Sequence, residues 1–173
     1  MTAIKGRVWK FGDSVSTDAI ISGKYKFKTI DLDELSTHTM ETISQEFAKE
    51  VKRGDIIVAG EDFGCGSSRE QAPLVLKQLG VGAIVAKSFA RIFYRNSINI
   101  GLPLVESRDA PDSTKQGDIL EIDLKAGSVI NLANGEAFKA KPMPDFLMRI
   151  LEDGGLVEQF KKYGEFRWST SSR

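Results

Sequence analysis

Three short apolar runs punctuated by glycine or proline constrain the fold more than anything else in this chain: GDIIVAG (54–60), VGAIVAKS (81–88) and LPLVES (102–107). Apolar side chains fill successive positions in each, so both faces of each strand must be covered, as in a parallel sheet. Between the runs lie PLVLKQLG (73–80) and FARIFYRNSINIG (89–101), the second with apolar residues at 89, 92, 93, 98 and 100; both read as helices. Strand, helix, strand, helix, strand predicts an α/β unit with right-handed crossovers.

The flanks add detail. GRVWKFG (6–12) reads as a strand ended by a glycine, and 12–29 as polar, glycine-punctuated loop. Asp31 is placed to cap a helix running to about Met40, with Glu34 as capping-box partner, and 44–54 reads as a second short helix. Beyond Asp109 the pattern alternates: GDILEIDLKAGSVINLANGEAFKAK (117–141), with AG and NG turns, reads as an antiparallel meander. Two helices broken at Gly154–Gly155 follow, then a polar tail. One domain over 1–163 and a tail over 164–173 are expected.

Composition removes several function classes. Lysine plus arginine equals aspartate plus glutamate at 24 each, so a general electrostatic grip on nucleic acid or an acidic membrane is not indicated. No apolar run reaches spanning length, and the first residues lack the apolar core of a secretion signal; a cytoplasmic protein is the default expectation. The sole cysteine, Cys65, and the sole histidine, His38, exclude a disulfide framework and a cluster or zinc held by this chain alone. Nothing in the sequence ties His38 to Ser67 or Cys65 as a nucleophile pair.

The chemistry concentrates in EDFGCGSSREQAPL (61–74), where a buried strand gives way to a helix. In open α/β sheets that end of the strand is where ligands bind. Gly64 and Gly66 permit a tight turn, and Arg69 offers a fork suited to a carboxylate. Ser67 to Glu70 matches a capping box, in which Ser67 merely caps the helix; an oxyanion or carboxylate pocket is the functional alternative. The sixth position from Gly64 is Arg69, so a dinucleotide fingerprint is disfavoured.

GCGSSREQAP closely resembles the signature of the aconitase-superfamily swivelling domain, in the form carried as a separate small subunit by dehydratases of the isopropylmalate type. GDSVSTDAII (12–21), AKSFARIFYRNSINIGLPL (86–104), GDILEIDL (117–124) and GGL (154–156) also fit that family's order and spacing. The resemblance covers almost all of residues 4 to 163. It implies a three-layer β/β/α swivelling fold and a hydro-lyase that removes water from a hydroxy acid and returns it in the other orientation. By the same resemblance Ser67, as an alkoxide, is the base, while Ser68 and Arg69 bind a substrate carboxylate. Thr17 and Asp18 match the family's TD pair near the site, with Asp18 orienting an arginine or the substrate, or bonding its own backbone. Arg91 braces the loop; Lys87 and Arg95 flank it, Arg95 with a bland helix-surface role as the alternative; Cys65 is packing or a support behind the site, not a nucleophile. The family's specificity region falls on Tyr25, Lys26, Phe27 and Lys28, where Phe27 is apt for an alkyl group and the lysines for an extra carboxylate or for water. A [4Fe–4S] cluster is implied on a large partner subunit, none on this chain. The implied substrates are 3-isopropylmalate or its neighbours, homoaconitate and dimethylmalate among them; a non-catalytic carboxylate-binding module is the alternative.

Overall fold

The computed structural model describes residues 3–26 and 28–166, Lys26 by its backbone alone. In chain order its elements are β1 (Ile4–Lys10), α1 (Thr17–Ile20), α2 (Gly23–Lys26), α3 (Leu32–Ser36), α4 (Phe47–Glu50), β2 (Ile56–Ala59), α5 (Gln71–Gln78), β3 (Ala83–Ala86) and α6 (Arg91–Asn99). Then follow β4 (Leu104–Glu106), α7 (Ala110–Ser113), β5 (Ile119–Asp123), β6 (Ser128–Asn131), β7 (Ala137–Lys139), α8 (Asp145–Glu152) and α9 (Leu156–Tyr163).

The strands join in the order β4-β3-β2-β1-β5-β6-β7. β1 belongs to two ladders. Its second half pairs in parallel with β2, Val8 opposite Ile56, and its first half pairs antiparallel with β5, Ile4 opposite Ile122. The remaining pairs of the first half, β2 with β3 and β3 with β4, are parallel; those of the meander, β5 with β6 and β6 with β7, are antiparallel.

The period of two along the parallel strands then builds two cores. Ile57, Ala59, Ile84 and Ala86 face one way, into a core shared with Val75 and Leu76 of α5, Leu35 of α3 and Phe47 of α4. Ile56, Val58, Ala83 and Val85 face the other way, into a core with Leu120, Ile122 and Val129 of the antiparallel strands and Met148, Ile150 and Leu151 of α8. Helices, parallel sheet and antiparallel sheet form three layers, as expected. Each large aliphatic side chain so buried contributes about 1.5–3 kcal/mol.

Several local expectations are corrected. The stretch 12–29 is not mainly loop: it carries α1, capped by Ser16, whose Oγ accepts from Ala19 N at 3.1 Å, and α2. The helix begun at Asp31 stops at Ser36 rather than Met40. Met40 has φ of 61°, and its amide donates to Ile20 O at 2.8 Å, so the helix cannot run through it. Asp31 does cap α3, accepting from Asp33 N at 2.9 Å, but its own amide donates to Thr29 Oγ1 rather than to Glu34. α4 covers only the middle of 44–54, and α7 was not anticipated.

Candidate functional site

Three neighbouring parallel strands, β1, β2 and β3, release their chains at the same edge of the sheet. The segments that leave them continue side by side beyond the regular ladder. Gly60 N donates to Gly12 O at 3.1 Å, Ser14 N to Glu61 O at 2.7 Å, Gly64 N to Val15 O at 2.7 Å and Thr17 N to Cys65 O at 2.9 Å. On the other side Phe63 N donates to Ser88 O at 3.1 Å and Ala90 N to Phe63 O at 3.0 Å. The loop 61–66 is therefore an extended rail held between the exits of β1 and β3.

Two side chains absent from the sequence reading complete that rail. Asp13 Oδ1 accepts from Glu61 N at 2.7 Å. Ser88 Oγ accepts from Asp62 N at 2.8 Å and donates to Glu61 Oε2 at 2.6 Å. Gly64 is required where it stands: its φ is 81°, and a Cβ there would lie 2.2 Å from Cγ of Phe93. Gly66 has φ of 92° with only ordinary contact distances around it.

The TD pair grips the serine–arginine triplet. Thr17, 3% exposed, donates from Oγ1 to Ser67 O at 2.8 Å. Asp18 pairs with Arg69 Nη1, which also donates to Ile21 O at 3.0 Å. Arg69 is only 14% exposed, so its charge is presented from a fixed position. The Arg69 guanidinium, with help from the Gly23 amide, holds the Asp18 carboxyl below the usual carboxylate range although burial opposes it.

Ser67 and Ser68 are exposed. The capping box expected at Ser67 does not form. α5 begins at Gln71 behind Glu70, which is already in helical conformation, and no side chain caps it. α6 also starts without a side-chain cap, leaving the amides of its first turn to whatever enters the cavity beside it.

That cavity, of about 360 Å³, is walled by Thr17, the loop Gly64–Arg69 apart from Cys65, and the start of α6. Ile92 and Asn96, one turn apart on α6, share this wall with Phe93 and Arg91, and neither Ile92 nor Asn96 was singled out from the sequence. The lining is divided between hydroxyls, guanidinium and amide on one hand and Ala90, Ile92 and Phe93 on the other. It suits a small molecule with a carboxylate and a short apolar part.

The other sequence-selected residues lie as follows. Arg91 lines the cavity as an exposed residue, while backbone bonds brace the loop. Cys65 donates from Sγ to Ser14 O at 3.6 Å, and burial pushes its thiol up, away from nucleophile behaviour. Lys87 pairs with Asp112 at 2.8 Å, which raises its ammonium pKa, and Arg95 is on the exposed side of α6. His38 sits in the turns after α3 and contacts Glu41, not Ser67. Tyr25 is on α2 with Lys28 just after it, the Lys28 ammonium 5.9 Å from the ring centroid. The side chain of Lys26 and all of Phe27 lie outside the described residues.

Among the described residues no group of three or more histidine, cysteine, aspartate or glutamate side chains could hold a metal. With Cys65 as the sole thiol of the whole sequence, the donor set does not fit an iron–sulfur cluster. No helix of the described residues is long and apolar enough to cross a membrane.

Comparison with known proteins gives the family and the fold. The chain is 57% identical over 160 residues to the methanogen homoaconitase small subunit of Methanothermobacter thermautotrophicus, spanning 92% of this chain and 91% of that one. It is 54% identical over 161 residues to 3-isopropylmalate dehydratase small subunit 1 of Methanopyrus kandleri, spanning 93% and 94%. The crystal structure of 3-isopropylmalate dehydratase from Methanocaldococcus jannaschii superposes with a TM-score of 0.87 at 49% identity, covering 94% of this chain and 95% of that one. The pattern of the aconitase C-terminal domain matches residues 13–109, the segment that carries both the TD pair and the serine–arginine loop, and the chain belongs to that family.

Proposed function

We propose that this chain is the small subunit of a 3-isopropylmalate dehydratase, a hydro-lyase that interconverts 2- and 3-isopropylmalate by loss and return of water, active only with an iron–sulfur large subunit. The observation that carries the reading is the Asp18-anchored Arg69, which lines one cavity together with Ser67, Ser68 and the apolar residue Ile92. Arg69 and Ser68 hold a carboxylate of the hydroxy acid. Ser67 Oγ takes the proton from the carbon next to that carboxylate and gives it back on the return step. Thr17, bonded to the Ser67 carbonyl, fixes the base's backbone, and the uncapped start of α6 with Arg69 and Arg91 favours its ionised form. Ile92 supplies surface for the alkyl branch. The cluster belongs to the partner, and this chain's own part is the binding, orienting and proton transfer just described. The setting is cytoplasmic.

The test is Ser67→Ala in the reconstituted two-subunit complex. Turnover disappears and assembly is unchanged, because the hydroxyl lies in the open cavity. Turnover that survives refutes the base assignment. A homoaconitase small subunit is the second reading, favoured by the 57% identity to the methanogen protein. Comparing an alkyl malate with a tricarboxylic acid on the same complex separates the two.

A further inference from the structure

One carboxylate, Glu41, gathers three donors around the segment that overlies Arg69. Lys24 Nζ lies 2.8 Å and Tyr25 Oη 2.7 Å from its Oε1, and His38 Nδ1 lies 2.9 Å from its Oε2. The rings of Tyr25 and His38 stack at 3.7 Å, 8° from parallel. The backbone beside Glu41 is itself fixed, since Met40 N donates to Ile20 O at 2.8 Å. α2 has four residues and no stability of its own, so these contacts decide where it lies.

The other end of α2 rests on the carboxylate-binding arginine. A Cβ on Gly23 would stand 3.5 Å from Arg69 Nη2, and Ile21 O accepts from Arg69 Nη1 at 3.0 Å. α2 thus spans the gap between Arg69 and Glu41. Lys24 follows Gly23 directly, which brings a second cation into the neighbourhood of the Arg69 guanidinium. Glu41 pairs with that cation at 2.8 Å and balances its charge. It is held ionised by Lys24 first, then by Tyr25 and His38, with its carboxyl pulled down to about 2.

We propose that Glu41 is a specificity-determining positioning residue: by pairing with Lys24 and tethering Tyr25 it withholds a second positive charge from the ligand of Arg69, so the site favours an alkyl-branched dicarboxylic acid over a tricarboxylic one. The inference rests on the function proposed above. It deepens that reading by assigning substrate selection to a residue that never touches substrate.

The test uses the complete two-subunit complex with 2-isopropylmalate and homocitrate as paired substrates. Glu41→Gln keeps the shape and removes the charge. It moves the ratio of kcat/KM toward homocitrate by about fivefold, the scale of an exposed ion pair, through a lower KM for homocitrate with kcat for 2-isopropylmalate unchanged. Glu41→Asp keeps the charge and holds the original ratio. Adding Lys24→Met to Glu41→Gln reverses the shift, which identifies Lys24 as the cation released. An unchanged ratio in Glu41→Gln overturns the proposal. So does an equal loss on both acids that Lys24→Met fails to reverse, the mark of a merely structural residue. A wild-type complex that turns over neither acid refutes the functional reading itself, and this inference with it; normal wild-type turnover with an unmoved ratio refutes Glu41 alone.

Discussion

Gly64→Ala tests the architecture of the loop most directly, with Gly66→Ala as its built-in control. Both glycines have positive φ, 81° and 92°, so either substitution carries the backbone cost of a side chain in that region, about 1–2 kcal/mol. They differ in surroundings. At Gly66 the nearest atom to a new Cβ is Thr17 Oγ1 at 3.6 Å, an ordinary contact. At Gly64 the new carbon falls 2.2 Å from Cγ and 2.5 Å from Cβ of Phe93. Phe93 cannot swing away: it is 2% exposed and packed edge to face on Phe63, with ring centroids 5.4 Å apart. Overpacking of that kind costs a further ~1–3 kcal/mol. Gly64→Ala therefore destabilises by roughly 3 kcal/mol and Gly66→Ala by about half of that. At about 2–4 °C of Tm per kcal/mol for a chain of this size, the expected falls are about 10 °C and about 4 °C. Thermal and denaturant unfolding of the two variants beside the wild type is the assay. Activity of the complex adds a second readout, because Gly64 and Cys65 are bonded to Val15 and Thr17, and a shift of about 1 Å at Ser67 costs on the order of a hundredfold. Gly64→Ala no more destabilising than Gly66→Ala would show that Phe93 yields freely and that the glycine serves only its dihedral.

Further expectations follow from the TD pair. Thr17→Val keeps the volume and removes the Oγ1 donor to Ser67 O; it lowers stability by about 1 kcal/mol and kcat by about tenfold, and unchanged kcat in steady-state assays would show that the base is oriented by other means. Asp18 has its carboxyl depressed by Arg69, so the pair's contribution is complete above the ordinary carboxylate value of 3.8 and is lost as pH falls below it. Asp18→Asn accordingly shrinks the drop in Tm between neutral pH and about pH 3, and an identical acid limb in both proteins would show that the pair contributes nothing to folding.

The parallel core was legible because Ile56–Ala59 and Ala83–Ala86 are apolar at every position, short and next to glycines, the pattern of a strand covered on both faces. The meander was legible from its alternation and its turns. What escaped was local structure fixed by distant partners. α1 and α2 are too short to announce themselves, and Met40, where α3 was expected to end, is instead bonded to Ile20, far back along the chain. The capping-box pattern at Ser67–Glu70 misled for a related reason. The backbone at Ser67 is already committed to Thr17, so the chain turns again before α5 begins. Ser67, Ser68 and Arg69 stood out through their motif, whereas Asp13 and Ser88 make their bonds only where three strand exits meet. The available signal was positional: each of the exits of β1, β2 and β3 carries a polar side chain within a few residues of the strand, at Asp13, Glu61 and Ser88.

This placement also gives a physical reason for a partner. A serine hydroxyl holds its proton tightly in water, and Ser67 stands exposed at the mouth of the cavity. Arg69 and the first turn of α6 are fixed donors, yet their pull on an alkoxide is weak while solvent competes for it. Ile92, 53% exposed on the same wall, is likewise an apolar surface awaiting cover. A second surface closed over the cavity, as the proposed function requires, would make each of these effective by expelling water and strengthening the electrostatics inside it. The rail of backbone bonds holds the charged and hydroxyl-bearing floor of the cavity in place, and the proposed function assigns its roof to another polypeptide. On the function proposed above, catalysis switched on only when the two halves meet keeps the ionised serine from forming in open solution, where it would simply be protonated again.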